Sequence, residues 1–351
     1  MLLDKEVFWM QRALDLATLG SGFVAPNPLV GCVIVKNDRI IGEGYHQKYG
    51  EDHAEVNAVH SVENALDIKD STVFVNLEPC SHHGKTPPCA DLLIKNSVRR
   101  VVICNTDPNP IVAGKGIARL KAAGIEVFVG LLADKGEALN RKFFYFQREK
   151  KPYITLKFAC SIDHFVAHKN GEPILFSNSE SQQLVHKMRT ENQAILIGVQ
   201  TVIADNPTLN VRYWQGNSPI RMIIDPTNRL PKESKLVKDH EPLLVFTKHH
   251  SETIGNKKWI ALGVENSTDI IQNIVSYCYK SNIQSILLEG GSQTANLFYS
   301  NGLINEIWKI EKQIKLGEGL AGPKLANVVY EEKFVVGEDN VWSKAVMPKL
   351  S

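Results

Sequence analysis

The sequence predicts an α/β protein built as two domains. Three observations carry this. Short runs rich in Val, Ile and Leu alternate with segments of helical periodicity along most of the chain. A charged break, Arg148-Glu149-Lys150-Lys151, ends at Pro152 and divides that alternation in two. The 351 residues are also about twice the length of an ordinary domain.

In the first stretch, residues 7–19 place apolar side chains at helical spacing. Residues 30–35 and 40–44, separated by Lys36-Asn37-Asp38-Arg39, read as a hairpin. Residues 54–62 read as a helix, 72–77 as a strand, 90–95 as a helix and 100–104 as a strand. Residues 116–123 add a helix and 126–129 a last strand. In the second stretch, strands are expected at 153–159, 194–198, 220–225, 243–247, 285–289 and 306–313. Helices are expected at 180–190, 269–280 and 294–301. The domains are therefore placed at 1–147 and 152–351.

Composition narrows the function. Hydrophobic residues make up 43% and charged residues 22% of the chain, an ordinary globular balance. Forty Lys and Arg against 38 Asp and Glu give a net charge of +2, which offers no electrostatic reason for a nucleic-acid partner. No apolar run approaches the ~20 residues that span a bilayer. Met1 to Glu6 carries charges where a signal peptide would be apolar. A cytoplasmic protein with reduced thiols is the expectation. Cysteines at 32, 80, 89, 104, 160 and 278 are too sparse for a disulfide scaffold, so clustered ones read as metal ligands.

Two such clusters exist. His53-Ala54-Glu55 opens a helix, and Glu78-Pro79-Cys80 is followed after eight residues by Cys89. One imidazole and two thiolates are the three-ligand set of a catalytic zinc, which leaves a fourth position for water and lowers its pKa toward ~7. Glu55, beside the ligand His53 without being one, is placed to shuttle protons. The zinc deaminases share the pattern H-x-E followed by P-C-x-x-C. Here Ser81-His82-His83-Gly84-Lys85-Thr86-Pro87-Pro88 replaces the two intervening residues, a polar, basic and proline-braced insert that reads as a substrate-facing loop. A structural zinc would need a fourth ligand, for which Cys104 or His82 would be the candidates, and would leave Glu55 unexplained. Cys32, Cys104, Cys160 and Cys278 read as packed thiols.

The second stretch is less explicit. Glu289-Gly290-Gly291-Ser292-Gln293-Thr294 follows a strand and opens a helix, where glycines let amides approach a phosphate. It is not the six-residue dinucleotide fingerprint. Gly198 to Leu209 also follows a strand, and Arg189 and Arg212 stand nearby as phosphate ligands or as solvated surface.

The insert between Cys80 and Cys89 resembles that of the bifunctional riboflavin biosynthesis deaminase/reductase family. So do Pro26-Asn27-Pro28-Leu29-Val30-Gly31, Gly42-Glu43-Gly44-Tyr45-His46 and Asp107 through Gly116. The resemblance implies a cytidine deaminase-like α/β/α domain with one Zn2+ per chain. It also implies that Asn27, His46, His82, Lys85 and Asp107 contact a pyrimidine and its ribose phosphate. Tyr153 to Lys157, Ser161-Ile162-Asp163, Gly198 to Leu209 with Arg212, Ile224-Asp225 and Glu289-Gly290-Gly291 resemble the reductase half. They imply a dihydrofolate reductase-like α/β domain using NADPH. Ala159, Leu175, Thr201, Asp205, Gly291, Ser292, Gln293 and Thr294 would then face the cofactor, and Arg189, Leu209, Arg212 and Glu289 the substrate.

The chain departs from the family at three places. His164 stands where Gly is usual, Leu175 where Trp is usual, and Glu311 to Lys315 replaces Ala-Pro-Lys-Leu. The small-molecule partner is expected to be a pyrimidine ribose phosphate, with neither nucleic acid nor membrane, and the resemblance is compatible with a homodimer or homotetramer. The competing readings are a deaminase of another nucleoside or nucleotide with an inactive nucleotide-docking appendage, and a zinc-stabilised binding module.

Overall fold

The computed structural model describes residues 2–81, 87–109 and 113–347, with side chains from Asp4 onward. The chain divides into two compact units, Met1–Lys150 and Lys151–Ser351. No helix among the described residues is long and apolar enough to cross a membrane.

The first unit runs α1 (Leu2–Thr18), β1 (Gly31–Lys36), β2 (Arg39–Tyr45), α2 (Ala54–His60), β3 (Thr72–Leu77), α3 (Cys89–Lys95), β4 (Arg100–Asn105), α4 (Lys115–Ala122), β5 (Glu126–Val129), α5 (Ala133–Leu139) and α6 (Arg141–Glu149). Its five strands lie in the order β2-β1-β3-β4-β5. The β2, β1 and β3 pairings are antiparallel, and β3, β4 and β5 run parallel. Successive strand residues face opposite sides of the sheet, and here both sides are covered. Val33, Val35, Phe74 and Val102 pack with Trp9, Met10, Ala13 and Leu14 of α1. Cys32, Ile34, Val73, Val75, Val101 and Ile103 pack with Ala54, Ala58, Ala90, Leu93 and Leu120 of α2, α3 and α4. The result is a three-layer α/β/α unit.

Helices α5 and α6 were not expected. Their charge density disguises them, yet Phe143, Phe144 and Phe146 are buried from α6. Arg148 and Glu149, read as the start of the linker, are the last turn of that helix. Lys150 ends it with a left-handed backbone, φ 57°.

The second unit runs β6 (Tyr153–Ser161), β7 (Phe165–Ala167), α7 (Ser179–Thr190), β8 (Ala194–Gly198), α8 (Val199–Asp205), β9 (Ile220–Ile224), α9 (Lys235–Lys238) and β10 (Leu243–Thr247). It continues with β11 (Glu252–Ile254), β12 (Lys257–Ala261), α10 (Ser267–Lys280), β13 (Ser285–Glu289) and α11 (Ser292–Ser300). It closes with β14 (Glu306–Lys312), β15 (Leu320–Ala321), β16 (Glu332–Val336) and β17 (Asn340–Val346). Ten strands form one sheet in the order β11-β12-β10-β9-β8-β13-β6-β14-β17-β16, while β15 pairs with β7. The stretch from β12 to β14 is parallel and both edges are antiparallel.

The parallel strands read as continuous apolar runs because helices cover both faces. One face meets α10 and α11 through Ile270, Ile274, Cys278 and Phe298. The other meets Val199, Val202 and Leu236. The terminal hairpin β16–β17 escaped the sequence because β16 is mostly exposed and its apolar face is only Phe334, stacked on Trp342, and Val336. Its partner strand places Trp342 fully inside, against Val185 and Ile310. Strand β9 stops at Ile224. Asp225 beyond it is a buried turn residue whose carboxylate accepts from the backbone N–H of Arg229 at 2.9 Å and Leu230 at 2.7 Å.

Candidate functional site

In the first unit the site is built where two short helices begin. Strand β2 ends under α2, and a Cβ on Gly44 would meet the Ala58 nitrogen at 2.3 Å and the Ala54 oxygen at 2.6 Å. Glycine therefore lets the helix lie directly on the strand. Asn57 fixes the register by donating from Nδ2 to the Tyr45 carbonyl at 2.8 Å. This places His53 at the N-terminus of α2, facing Cys80 on the loop after β3 and Cys89 at the start of α3.

His53 Nδ1 lies 3.7 Å from Cys80 Sγ and 3.3 Å from Cys89 Sγ, and the three ligand atoms are all within 4.8 Å of one another. Tetrahedral zinc with Zn–S near 2.3 Å and Zn–N near 2.0 Å requires separations of about 3.5–3.8 Å, so the donor set fits that ion. The electrostatics agree. A hydrogen bond with Cys89, together with His53, holds the Cys80 thiol down to about 4. The bond to Cys80 pushes His53 up to about 9. The backbone N–H of Cys89 donates to Cys80 Sγ at 3.3 Å. Positive helix ends and the facing imidazole favour the thiolate form of Cys80, the form in which it ligates a metal. Cys104, the alternative fourth ligand, is instead buried with its Sγ donating to the Asn105 side chain and the Leu132 carbonyl. His82 lies outside the described residues.

Glu55 is buried beside this set at 3% exposure. Burial, reinforced by Cys80, raises its pKa to about 7, the range in which a carboxyl both takes and gives a proton at neutral pH. His46 packs edge-on to His53 with ring centroids 5.6 Å apart. Its Nε2 accepts from Asn27 Nδ2 at 3.0 Å, so its Nδ1 carries the proton and donates to the Asp52 carbonyl at 3.0 Å. Burial lowers the His46 pKa and keeps the ring neutral. The structure thus joins Asn27, His46 and His53 in one chain of contacts. Asp107 is buried, and its Oδ1 accepts from the Asn109 amide at 2.8 Å. Lys85, like His82, lies outside the described residues.

Three residues missed in the sequence hold these segments. Asn76 and Asn140 both clamp Leu29. The Asn140 amide accepts from Leu29 N–H at 2.8 Å and donates to its carbonyl at 2.9 Å, while Asn76 donates to the same carbonyl and accepts from Gly31 N–H. Glu78 is the third. It stood inside the quoted Glu78-Pro79-Cys80 motif and could have been noticed there, whereas nothing in the sequence singled out Asn140.

In the second unit, adjacent parallel strands β8 and β13 end side by side, each turning into a helix. Gly290 and Gly291 both adopt left-handed backbones, φ 73° and 70°. A Cβ on Gly291 would lie 3.3 Å from Thr201 Oγ1 and 3.8 Å from Thr294 Oγ1, and one on Gly198 would lie 2.9 Å from Thr294 Oγ1. Thr201, Gly291 and Thr294 are therefore brought together, with Ser292 anchored by its Oγ donating to the Ala321 carbonyl at 2.7 Å. Gln293 follows in the first turn of α11, Asp205 closes α8, and Ala159 lies in β6, half-buried.

Beyond them is a buried ion cluster. Arg189 donates from Nε and Nη2 to the two oxygens of Glu289 at 2.9 and 3.1 Å, and Lys157 Nζ donates to the same carboxylate at 3.1 Å. Burial works to raise the Glu289 pKa, but Arg189 and Lys157 outweigh it and hold the carboxyl well below the usual range. Arg189 is thus no solvated surface residue. Its Nη1 donates to the Asn210 carbonyl at 3.1 Å, steadying the segment that carries Arg212. Exposed Arg212 contacts Thr208 and Asn210 through its guanidinium, and its backbone N–H donates to His186 Nδ1 at 2.8 Å. Burial, with Arg189 and Arg212, lowers the His186 pKa to about 4 and keeps this acceptor neutral.

Leu209 buries its side chain in the core and holds a left-handed backbone, φ 57°. Leu175 is 71% exposed, and its carbonyl accepts from Lys312 Nζ at 3.3 Å. His164 has φ 64°, the backbone that a glycine would adopt without strain. Preceding it, Asp163 accepts from Ser161 Oγ at 2.6 Å and from the amides of Leu316 and Gly317. Ser161-Ile162-Asp163 is thereby a clasp on the segment after β14.

A histidine–dicysteine centre with a buried carboxyl, joined in one chain to a parallel-sheet domain with glycine-turned helix starts, defines a zinc deaminase coupled to a reductase. Residues 3–105 match the cytidine and deoxycytidylate deaminase zinc-binding region, and residues 152–321 match the RibD C-terminal domain. The riboflavin biosynthesis protein RibD of Actinobacillus pleuropneumoniae is 40% identical over 86% of this chain and 82% of its own length. That of Escherichia coli (strain K12) is 39% identical over 86% of each. The RibD structure from Acinetobacter baumannii (form 1) superimposes with a TM-score of 0.88 at 32% identity, covering 98% of this chain and 99% of that one. The diaminohydroxyphosphoribosylaminopyrimidine deaminase/5-amino-6-(5-phosphoribosylamino)uracil reductase of Thermotoga maritima does so with 0.88 at 31%, covering 99% of each. The chain belongs to the RibD family of riboflavin biosynthesis proteins, and is a bifunctional deaminase and reductase.

Proposed function

We propose that the first unit deaminates 2,5-diamino-6-ribosylamino-4(3H)-pyrimidinone 5′-phosphate and that the second reduces the ribosyl group of the product to ribityl with NADPH. The observation that carries this reading is the convergence of His53, Cys80 and Cys89 on one ligand position with Glu55 buried beside them.

His53, Cys80 and Cys89 hold one zinc per chain, which when bound makes water nucleophilic at neutral pH. Glu55 takes a proton from the attacking water and passes it to the ring nitrogen, then carries the remaining hydroxyl proton to the departing amine. Water enters and ammonia leaves, and a carbonyl replaces the amino group. Asn27, oriented by neutral His46, reads the pyrimidine edge, with Asp107 on the same substrate. His82 and Lys85 serve the ribose phosphate.

In the second unit Thr201, Asp205, Ala159, Leu175 and the Gly291-Ser292-Gln293-Thr294 turn would hold the nicotinamide nucleotide, the start of α11 offering amides suited to phosphate. Arg212 binds the substrate phosphate, the Leu209 backbone lies against the sugar, and the Arg189–Glu289 pair sets the charge beneath it. When bound, NADPH would supply the hydride that, with a proton, converts the ribosyl group to the open ribityl chain.

The test is NADPH oxidation coupled to ammonia release with the diaminopyrimidine phosphate as sole substrate. Release of one ammonia per NADPH consumed is expected. Ammonia release from cytidine with none from the diaminopyrimidine phosphate would overturn the substrate, and NADH outpacing NADPH would overturn the cofactor.

A further inference from the structure

Glu78 is a buried carboxylate that the chemistry above does not use. It sits two residues before the ligand Cys80, at 4% exposure, with its own backbone N–H donating to the Asn105 carbonyl at 2.9 Å. Its side chain reaches away from the metal ligands to a different segment. Oε2 accepts from the backbone N–H of Asp107 at 3.3 Å and of Gly114 at 3.0 Å. Oε1 accepts from Gly116 at 3.0 Å and Ile117 at 3.2 Å.

The local reason is legible. Helix α4 begins after Gly114, a residue at φ 72° with no side chain to cap the helix. Its first amides need an acceptor, and a carboxylate at a helix N-terminus is the strongest available. Glu78 provides that cap from 38 residues away. The contact is tight. A Cβ on Gly116 would meet the Pro79 carbonyl at 2.1 Å, so only glycine lets α4 approach the Cys80 loop this closely. Arg119 of the same helix donates to the Ser81 carbonyl at 3.2 Å and pairs with Asp91 of α3 at 2.6 Å, fastening the far side of that loop.

One carboxylate therefore spans two parts of the deaminase site. Its backbone leads into a metal ligand, and its side chain holds the backbone of Asp107. We infer that Glu78 is a positioning residue that fixes the Asp107 segment relative to the His53–Cys80–Cys89 centre, and so sets the fit of the pyrimidine substrate. This rests on the reading of Asp107 as a substrate contact.

Glu78→Gln keeps the shape but turns one acceptor oxygen into an NH2 group facing backbone donors. In the full-length, zinc-loaded protein, the deaminase KM should rise about tenfold or more, with zinc still one per chain. The reductase rate of the same chain, assayed with the aminouracil phosphate, should be unchanged and reports the second unit, while the retained zinc and the unfolding midpoint of the first unit report its folding. Gly116→Ala, whose Cβ would lie 2.1 Å from the Pro79 carbonyl and 3.3 Å from Glu78 Oε1, wedges α4 off both without changing a charge and should raise the same KM. The Glu78→Gln and Asp107→Asn effects should combine to less than their product, because one acts through the other.

Wild-type deaminase kinetics in Glu78→Gln would overturn the inference. So would a rate that falls only in proportion to lost zinc with KM unchanged, since Glu78 would then serve the ligands alone. Full multiplicativity with Asp107→Asn would overturn it too. A wild-type protein inert on the diaminopyrimidine phosphate would instead overturn the reading of the site on which it rests.

Discussion

The two active regions use buried charge in opposite ways. In the deaminase half, Glu55 is buried with its pKa raised to about 7, near thiols that want a cation, and its value lies in changing protonation state. In the reductase half, Glu289 is buried equally deeply, but Arg189 and Lys157 pin it as a permanent anion. One carboxyl is poised to change its proton. The other is fixed in its charge and structural to its neighbours. Burial alone therefore does not tell a proton carrier from a strut; the partner charges do.

That contrast can be broken at four points. The largest effect is expected from Glu55→Gln, which should cost about 10²–10⁴-fold in deaminase turnover while zinc content and unfolding stability stay at wild-type values. Normal turnover would remove the shuttle. Glu289→Ala should do the reverse kind of damage. It leaves Arg189 and Lys157 buried without a counter-charge, so the second unit should lose roughly 3–5 kcal/mol in denaturant unfolding while ammonia release is retained. An unchanged midpoint would show that the cluster is not a strut.

A smaller effect is expected at His186. Its folded pKa of about 4 lies below the ordinary 6.5, so its contribution is present above pH 6.5 and is lost as pH falls from 6.5 toward 4. Protonation also removes the acceptor for Arg212 N–H. Reductase KM should rise as pH falls toward 4, where the folded ring gains its proton, and His186→Asn, whose Oδ1 can replace Nδ1 without titrating, should flatten the rise. A profile identical in both proteins would place the titration elsewhere. The smallest effect is His164→Gly, which relieves a left-handed backbone and should stabilise the second unit by about 0.5–1 kcal/mol, read as a modest rise in Tm.

The same contrast explains what could be read from the chain. His53, Glu55, Cys80 and Cys89 are legible because metal chemistry dictates residue type and spacing, and the fold had only to bring two short motifs together. The parallel strands were equally plain, since double burial writes them as apolar runs such as Ile286 to Leu288. Arg189 and Glu289 are 100 residues apart and carry no local pattern, so their pairing belongs to the sheet rather than to a motif. Asn140 was hidden for a similar reason. Its two hydrogen bonds to Leu29 span 111 residues, and an asparagine between two charged helices reads as an ordinary turn. Strands β16 and β17 were missed because β16 is mostly exposed and the buried positions of β17 include the polar Asn340 and Ser343 beside Trp342 and Ala345, which leaves no clean apolar alternation.

The position of β6 has a consequence for how the polypeptide is made. It is the first strand of the second unit, yet it lies inside the sheet, between β13 and β14, with Lys157 and its partner Glu289 separated by 132 residues. During synthesis the deaminase half can close on itself once residue 150 has left the ribosome. The strand that follows must stay unpaired through most of the remaining translation, exposing an apolar ribbon until both neighbours arrive. A chaperone or a slowed ribosome should therefore matter far more to the yield of active reductase than to that of active deaminase.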